Sequence, residues 1–129
     1  MKVLITGAGG FIGQAVTSRL LEEGYTVAVL VRSSRSISFY HPKLEWLLGD
    51  MRDKKSLVQN TKGVDVVVHL AAAKSDERES YEINVTGAQN LLEACETNGV
   101  KRIINISTIS TKLPQKGVYA ETKEKADEI

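Results

Sequence analysis

One cysteine, Cys95, in 129 residues excludes an internal disulfide framework. It sits in the stretch LLEACET at an apolar helical spacing, and so reads as a small buried hydrophobe and not as a nucleophile. An excess of either charge is also missing. Basic residues number 17 and acidic residues 16, scattered among each other, for a formal net charge of +1. That balance offers no broad footprint for nucleic acid or for a membrane surface, so any cationic function has to be local. No apolar run approaches the roughly twenty residues of a membrane span. The opening MKVLITGAGGFIG is interrupted by glycines before the apolar core of a cleavable leader could form, and the expectation is a cytoplasmic protein. Two distant histidines, His41 and His69, without clustered acids or thiols exclude a metal site; His69, at an apolar strand end, reads as a satisfied core residue.

What is present is a balanced globular composition, 42% hydrophobic and 26% charged, enough for one domain with a real core. Four short runs rich in Val and Ile, at residues 2–6, 26–31, 64–71 and 101–107, lack polar alternation. That pattern suits strands covered on both faces, as in a parallel sheet. A weaker fifth candidate is LEWLLG at 44–49. Helical spacing predicts helices over 11–23, 53–60 and about 79–97, with Gly24 closing the first and Asn98-Gly99 the last. Strand and helix alternate throughout, which argues for βαβ units and a doubly wound parallel sheet.

Directly after the first strand comes TGAGGFIG, with Gly7, Gly10 and Gly13 leading into the first helix. Glycines here permit a tight strand-to-helix turn, close backbone approach to a pyrophosphate and close helix packing. The helix opening, with Phe11 and Ile12, then offers unpaired N–H groups and the positive dipole end to phosphates. About twenty residues on, an acidic residue would pair with a free ribose 2′-hydroxyl. VLVRSSRS has none there; Arg32, Ser33 and Arg35 instead offer donors suited to a 2′-phosphate, so NADP(H) is expected in preference to NAD(H).

Further along, GDMRD (49–53), VVVHLAA (66–72), YEINVTGAQNLLEAC (81–95), VKRIINIST (100–108) and YAETK (119–123) follow in order. Together with TGAGGFIG they resemble the extended short-chain dehydrogenase/reductase family, the NAD(P)-dependent epimerase/dehydratase group, along essentially the whole chain. The resemblance implies a three-layer α/β fold of Rossmann type, about five parallel strands in the order 3-2-1-4-5, as one cofactor-binding domain over 1–129. It implies that Asp50 contacts the adenine amino group with Met51 beside the ring, that Ala71 and Ala72 line the path of the nicotinamide half, and that Asn84 ties its helix to neighbouring backbone. It also implies that Tyr119 and Lys123 are the Y-x-x-x-K pair, with Lys123 on the nicotinamide ribose, and that Thr108 hydrogen-bonds the substrate oxygen, with Ser110 as understudy. A free tyrosine is a poor base at neutral pH, and a neighbouring ammonium favours the phenolate.

Two departures qualify what the resemblance implies. The segment ISTKLPQKGV between Thr108 and Tyr119 is short, and the C-terminal substrate region that members of the family carry is absent from these 129 residues. The expected reading is an oxidoreductase-type domain related to nucleotide-sugar epimerases and dehydratases, with a small-molecule substrate and weak or idle turnover on its own. A reductase of the dihydroflavonol-reductase-like branch is the alternative, favoured by Arg32 and the short loop after the second strand; Ile109 and Ser110 stand where a dehydratase of the nucleotide-sugar branch would carry an Asp-Glu pair, which disfavours that chemistry. A nucleotide-sensing module without turnover, or a piece of a longer enzyme, is a further one. Members commonly dimerise through the long fourth helix and the Tyr-bearing helix, so a homodimer is expected.

Overall fold

A computed structural model describes residues 1–36 and 39–129. Five strands, β1 (Lys2–Thr6), β2 (Thr26–Val31), β3 (Leu44–Leu48), β4 (Val66–His69) and β5 (Arg102–Asn105), form one parallel sheet in the order β3-β2-β1-β4-β5. The expected fold and strand order are thus observed, and the weak candidate at 44–49 is the edge strand β3. Val3 lies opposite both Val27 and Val66, so the apolar runs stack in register across the sheet centre. A half-buried strand would need alternation; the central strands β1, β2 and β4 are buried on both faces because helices cover both.

One face carries Val3, Ile5, Val27 and Val29 under α1 (Phe11–Glu22), whose Leu21 is buried there and whose Val16 and Leu20 pack alongside. The other carries Leu4, Ala28, Leu30 and Val67 against α2 (Lys54–Asn60) and α4 (Gly87–Asn98), through Leu57, Leu91, Ala94 and Cys95. Cys95 is 2% exposed and burial pushes its thiol up to about 11, so it is a core residue as expected. Asp53 caps α2 by accepting from the Lys55 and Ser56 backbone N–H groups, and Gly99 ends α4 in the left-handed region at φ +67°.

The long helix expected at 79–97 is three pieces: α3 (Glu77–Tyr81), a wide π turn (Glu82–Thr86) and α4. Asp76 starts it earlier than expected by accepting from the Glu79 N–H (3.0 Å). The last helix, α5 (Val118–Asp127), carries the YAETK segment. Among the described residues no helix is long and apolar enough to cross a membrane. Strand order reverses between β1 and β4, and a crevice outside the carboxyl ends of a sheet at such a point is where α/β folds bind ligands.

Candidate functional site

At that reversal lies a cleft of about 540 Å³. Its floor is the turn after β1. Gly7 is at φ +76°, and a Cβ there would fall 2.6 Å from Ala71 N and 2.7 Å from Leu70 C. A Cβ on Gly13 would fall 2.2 Å from Gly7 O, so α1 can press on the turn only without one. Gly10 donates its N–H to Gly7 O (3.2 Å) and closes the turn. Nothing lies within 4 Å of a Cβ on Gly9, and a Cβ on Gly10 would make only ordinary contact, so the turn is open where an anion would approach. The first turn of α1 has no acidic residue and no side-chain cap, leaving its N–H groups for an external acceptor. Phe11 is 94% and Ile12 55% exposed, and neither lines the cleft wall.

One end of the cleft is walled by the ends of β2 and β3. Arg32 lines it together with Ser36, a residue that sequence reasoning missed. Ser33 and Arg35 stand outside the wall and are exposed; Ser33 Oγ accepts the Arg35 N–H (3.2 Å) and starts the short 3-10 turn that carries Ser36 inward. Asp50 lines the same end, with both carboxylate oxygens engaged by Arg52: Oδ1 accepts from N (2.9 Å) and Nε (3.0 Å), Oδ2 from Nη2 (2.7 Å). Hydrogen bonding to Arg52 holds the Asp50 carboxyl below its ordinary range. Met51 is buried beside it.

The opposite wall is the loop after β4, which carries Ala71 and Ala72. Ala71 N–H donates to Thr6 Oγ1 (3.2 Å), which also shares a hydrogen bond of 2.7 Å with His69 Nδ1. Burial pushes His69 down to about 4, so its imidazole is neutral at pH 7 and supports the loop from within the core. Asn84, in the π turn, accepts from Ala73 N–H (2.8 Å) and donates to Ala73 O (3.0 Å), which ties helix to loop backbone. Lys74 follows in the wall, and its Nζ lies 4.8 Å from the Tyr119 ring centroid. No sequence motif pointed to Lys74.

Tyr119 and Lys123 share a face of α5. Lys123 is 3% exposed and donates from Nζ to Ile106 O (2.9 Å); burial lowers its pKa, with Asp127 acting in the opposite direction. Thr108 caps the 3-10 turn Ile109–Lys112, accepting from Ser110 N–H (3.3 Å), and its Oγ1 is 3.1 Å from Ser110 Oγ. Thr108, Tyr119 and Lys123 lie beyond the cleft wall, and Tyr119 meets it through Lys74. The arrangement therefore joins an open glycine turn with uncapped N–H groups, a cationic end and, farther off, hydroxyl- and ammonium-bearing side chains. These features fit an extended dinucleotide, which needs an open glycine turn and a path bounded by small side chains.

The sequence profile of the NAD dependent epimerase/dehydratase family matches residues 3–128. Over 141 aligned residues the chain is 33% identical to UDP-N-acetylglucosamine 4,6-dehydratase (inverting) of Campylobacter jejuni, covering 99% of this chain and 42% of that protein. It is 36% identical to N-acetyl-alpha-D-glucosaminyl-diphospho-ditrans,octacis-undecaprenol 4-epimerase of Escherichia coli O157:H7, covering 98% of this chain and 36% of that protein. Among solved structures it superposes on DesIV, the dTDP-glucose 4,6-dehydratase of Streptomyces venezuelae solved with NAD bound, with a TM-score of 0.85, 29% identity, and coverage of 99% of this chain and 50% of that one. The chain thus spans half or less of the length of these relatives. With a profile match over nearly all its residues and the cleft at the strand-order reversal, the chain belongs to the NAD-dependent epimerase/dehydratase family.

Proposed function

We propose that this chain is the cofactor-binding part of an oxidoreductase-type enzyme, that it prefers NADP(H) to NAD(H), and that Thr108, Tyr119 and Lys123 serve hydride transfer at a carbonyl or hydroxyl carbon. The observation that carries the preference is Arg32 with Ser36 in the cleft wall, at a strand end with no Asp or Glu to pair with a free 2′-hydroxyl. Arg32 and Ser36 take the 2′-phosphate by charge-assisted and hydroxyl hydrogen bonds. The α1 opening at Phe11 and Ile12 takes the pyrophosphate on backbone N–H groups. Ala71 and Ala72 leave room for the chain of the dinucleotide along the loop after β4.

When bound, the nicotinamide supplies or accepts the hydride. The chain's own part is the proton and its placement. Tyr119 gives a proton to, or takes it from, the substrate oxygen, and Lys123 stands one turn along the same face of α5. Thr108 Oγ1 orients that oxygen. The nucleotide-sugar chemistry named for the relatives supports a nucleotide-sugar as substrate class. The Ile109-Ser110 pair after Thr108 favours a second reading, reduction of a small carbonyl compound, since a dehydratase wants acidic residues there. Removing Arg32 tests the central part of the proposal: Arg32→Ala should weaken NADPH binding by roughly ten- to a hundredfold, the value of a hydrogen bond to a charged group, and leave NADH nearly unchanged. Equal affinity of wild type and variant for NADPH, read by calorimetric titration, would remove Arg32 from the site.

A further inference from the structure

Thr122 stands between Tyr119 and Lys123 on α5 and is 4% exposed. A buried threonine inside a helix commonly returns its hydroxyl proton to the preceding turn, and Thr122 Oγ1 lies 2.8 Å from Val118 O and 3.1 Å from Tyr119 O. Its proton is thereby used within α5, and the oxygen keeps its lone pairs for an acceptor role. Asn84 Nδ2 donates to that oxygen at 2.9 Å, from 38 residues away in the chain.

The rest of the Asn84 amide is engaged by Ala73, whose N–H it accepts at 2.8 Å and whose carbonyl it donates to at 3.0 Å. Asn84 is 1% exposed, so each of these bonds replaces water that cannot reach it. One side chain therefore sets the spacing between the loop that walls the cleft and the helix that bears Tyr119 and Lys123. The next loop residue, Lys74, meets the Tyr119 ring across the same gap. An apolar side chain at 122 would leave an Asn84 N–H buried without an acceptor, and the amide could regain one only by turning and releasing Ala73.

We propose that Thr122 is a positioning residue: its hydroxyl, through Asn84, holds α5 at the rotation that presents Tyr119 and Lys123 to the nicotinamide end of the cleft. This rests on reading the cleft as an NADP(H) site. The adenosine end, made by β2, β3 and the glycine turn, does not contact Thr122 and is independent of it.

The experiment is calorimetric titration of wild type, Thr122→Val and Thr122→Ser with NADPH and, separately, with adenosine 2′,5′-bisphosphate, which lacks the nicotinamide half. Valine keeps the shape and removes the hydroxyl; serine keeps the hydroxyl. The expected result is about tenfold weaker NADPH binding by Thr122→Val, with the bisphosphate bound as by wild type and Thr122→Ser restoring NADPH affinity. If circular dichroism shows Thr122→Val unfolded, Thr122→Ala carries the same expectation, since alanine favours the helix. NADPH affinity equal to wild type in the folded variant, or equal weakening of both ligands, overturns the positioning role while leaving the cofactor reading in place. Wild type that binds neither ligand overturns both.

Discussion

Gly13 has no room for a methyl group, because its Cβ would stand 2.2 Å from Gly7 O and 2.6 Å from Ala8 Cα, both backbone. Backbone cannot swing aside as a side chain can. Gly13→Ala is therefore expected to lose about 1–3 kcal/mol of stability in urea unfolding, the usual cost of overpacking. It should also lift α1 away from the turn and weaken dinucleotide binding. His69 supplies a pH dependence. Its pKa is pushed from 6.5 to about 4 by burial, so the unfolded chain binds the extra proton between those values. Its contribution to stability is thus present above about pH 6.5 and falls as pH drops toward 4, by at most roughly 3 kcal/mol. A His69→Asn chain should show a flatter urea midpoint across that window; an unchanged slope would mean that another group carries the dependence. The glycines were legible in the sequence because a fixed spacing dictates their backbone role. Ser36, Lys74 and the Asp50–Arg52 fork were not, since each is placed by how a loop folds and not by a repeat.

At the scale of elements, the central strands were legible because buried parallel strands leave uninterrupted Val and Ile runs, while the partly exposed edge strand Leu44–Leu48, without Val or Ile, gave only a weak apolar signal. The π turn was not. Apolar spacing of roughly one in four residues cannot distinguish an α turn from a wider one, and the turn carries Asn84, whose amide is held by Ala73 in a loop the spacing does not report. The helix ends were readable where glycine was required. Gly99 is at φ +67° with nothing within 4 Å of a Cβ, so Gly99→Ala has a conformational cost only, about 1–2 kcal/mol, measurable as a lowered urea midpoint with an unchanged slope. A loss of several times that would mean a packing role that the open surroundings do not provide.

For the whole molecule, the fold places an anion-accepting turn and two walls at one sheet reversal, while the proton-bearing residues sit past the loop after β4. On the α1 side, the edge strand β5 leaves Ile104 43% exposed, and Ile106 just after it is 39% exposed. Exposed apolar residues on an unpaired edge favour association. Light scattering at micromolar concentration is expected to give about twice the 14.1 kDa chain mass, as the homodimer reading requires. A mass of one chain would contradict that reading and leave the cofactor site untouched. The NADP(H) site is tested by calorimetric titration of the 129-residue chain with NADPH and with NADH. Saturable binding of both with tighter NADPH is the predicted result; tighter NADH, or no binding of either, would contradict it.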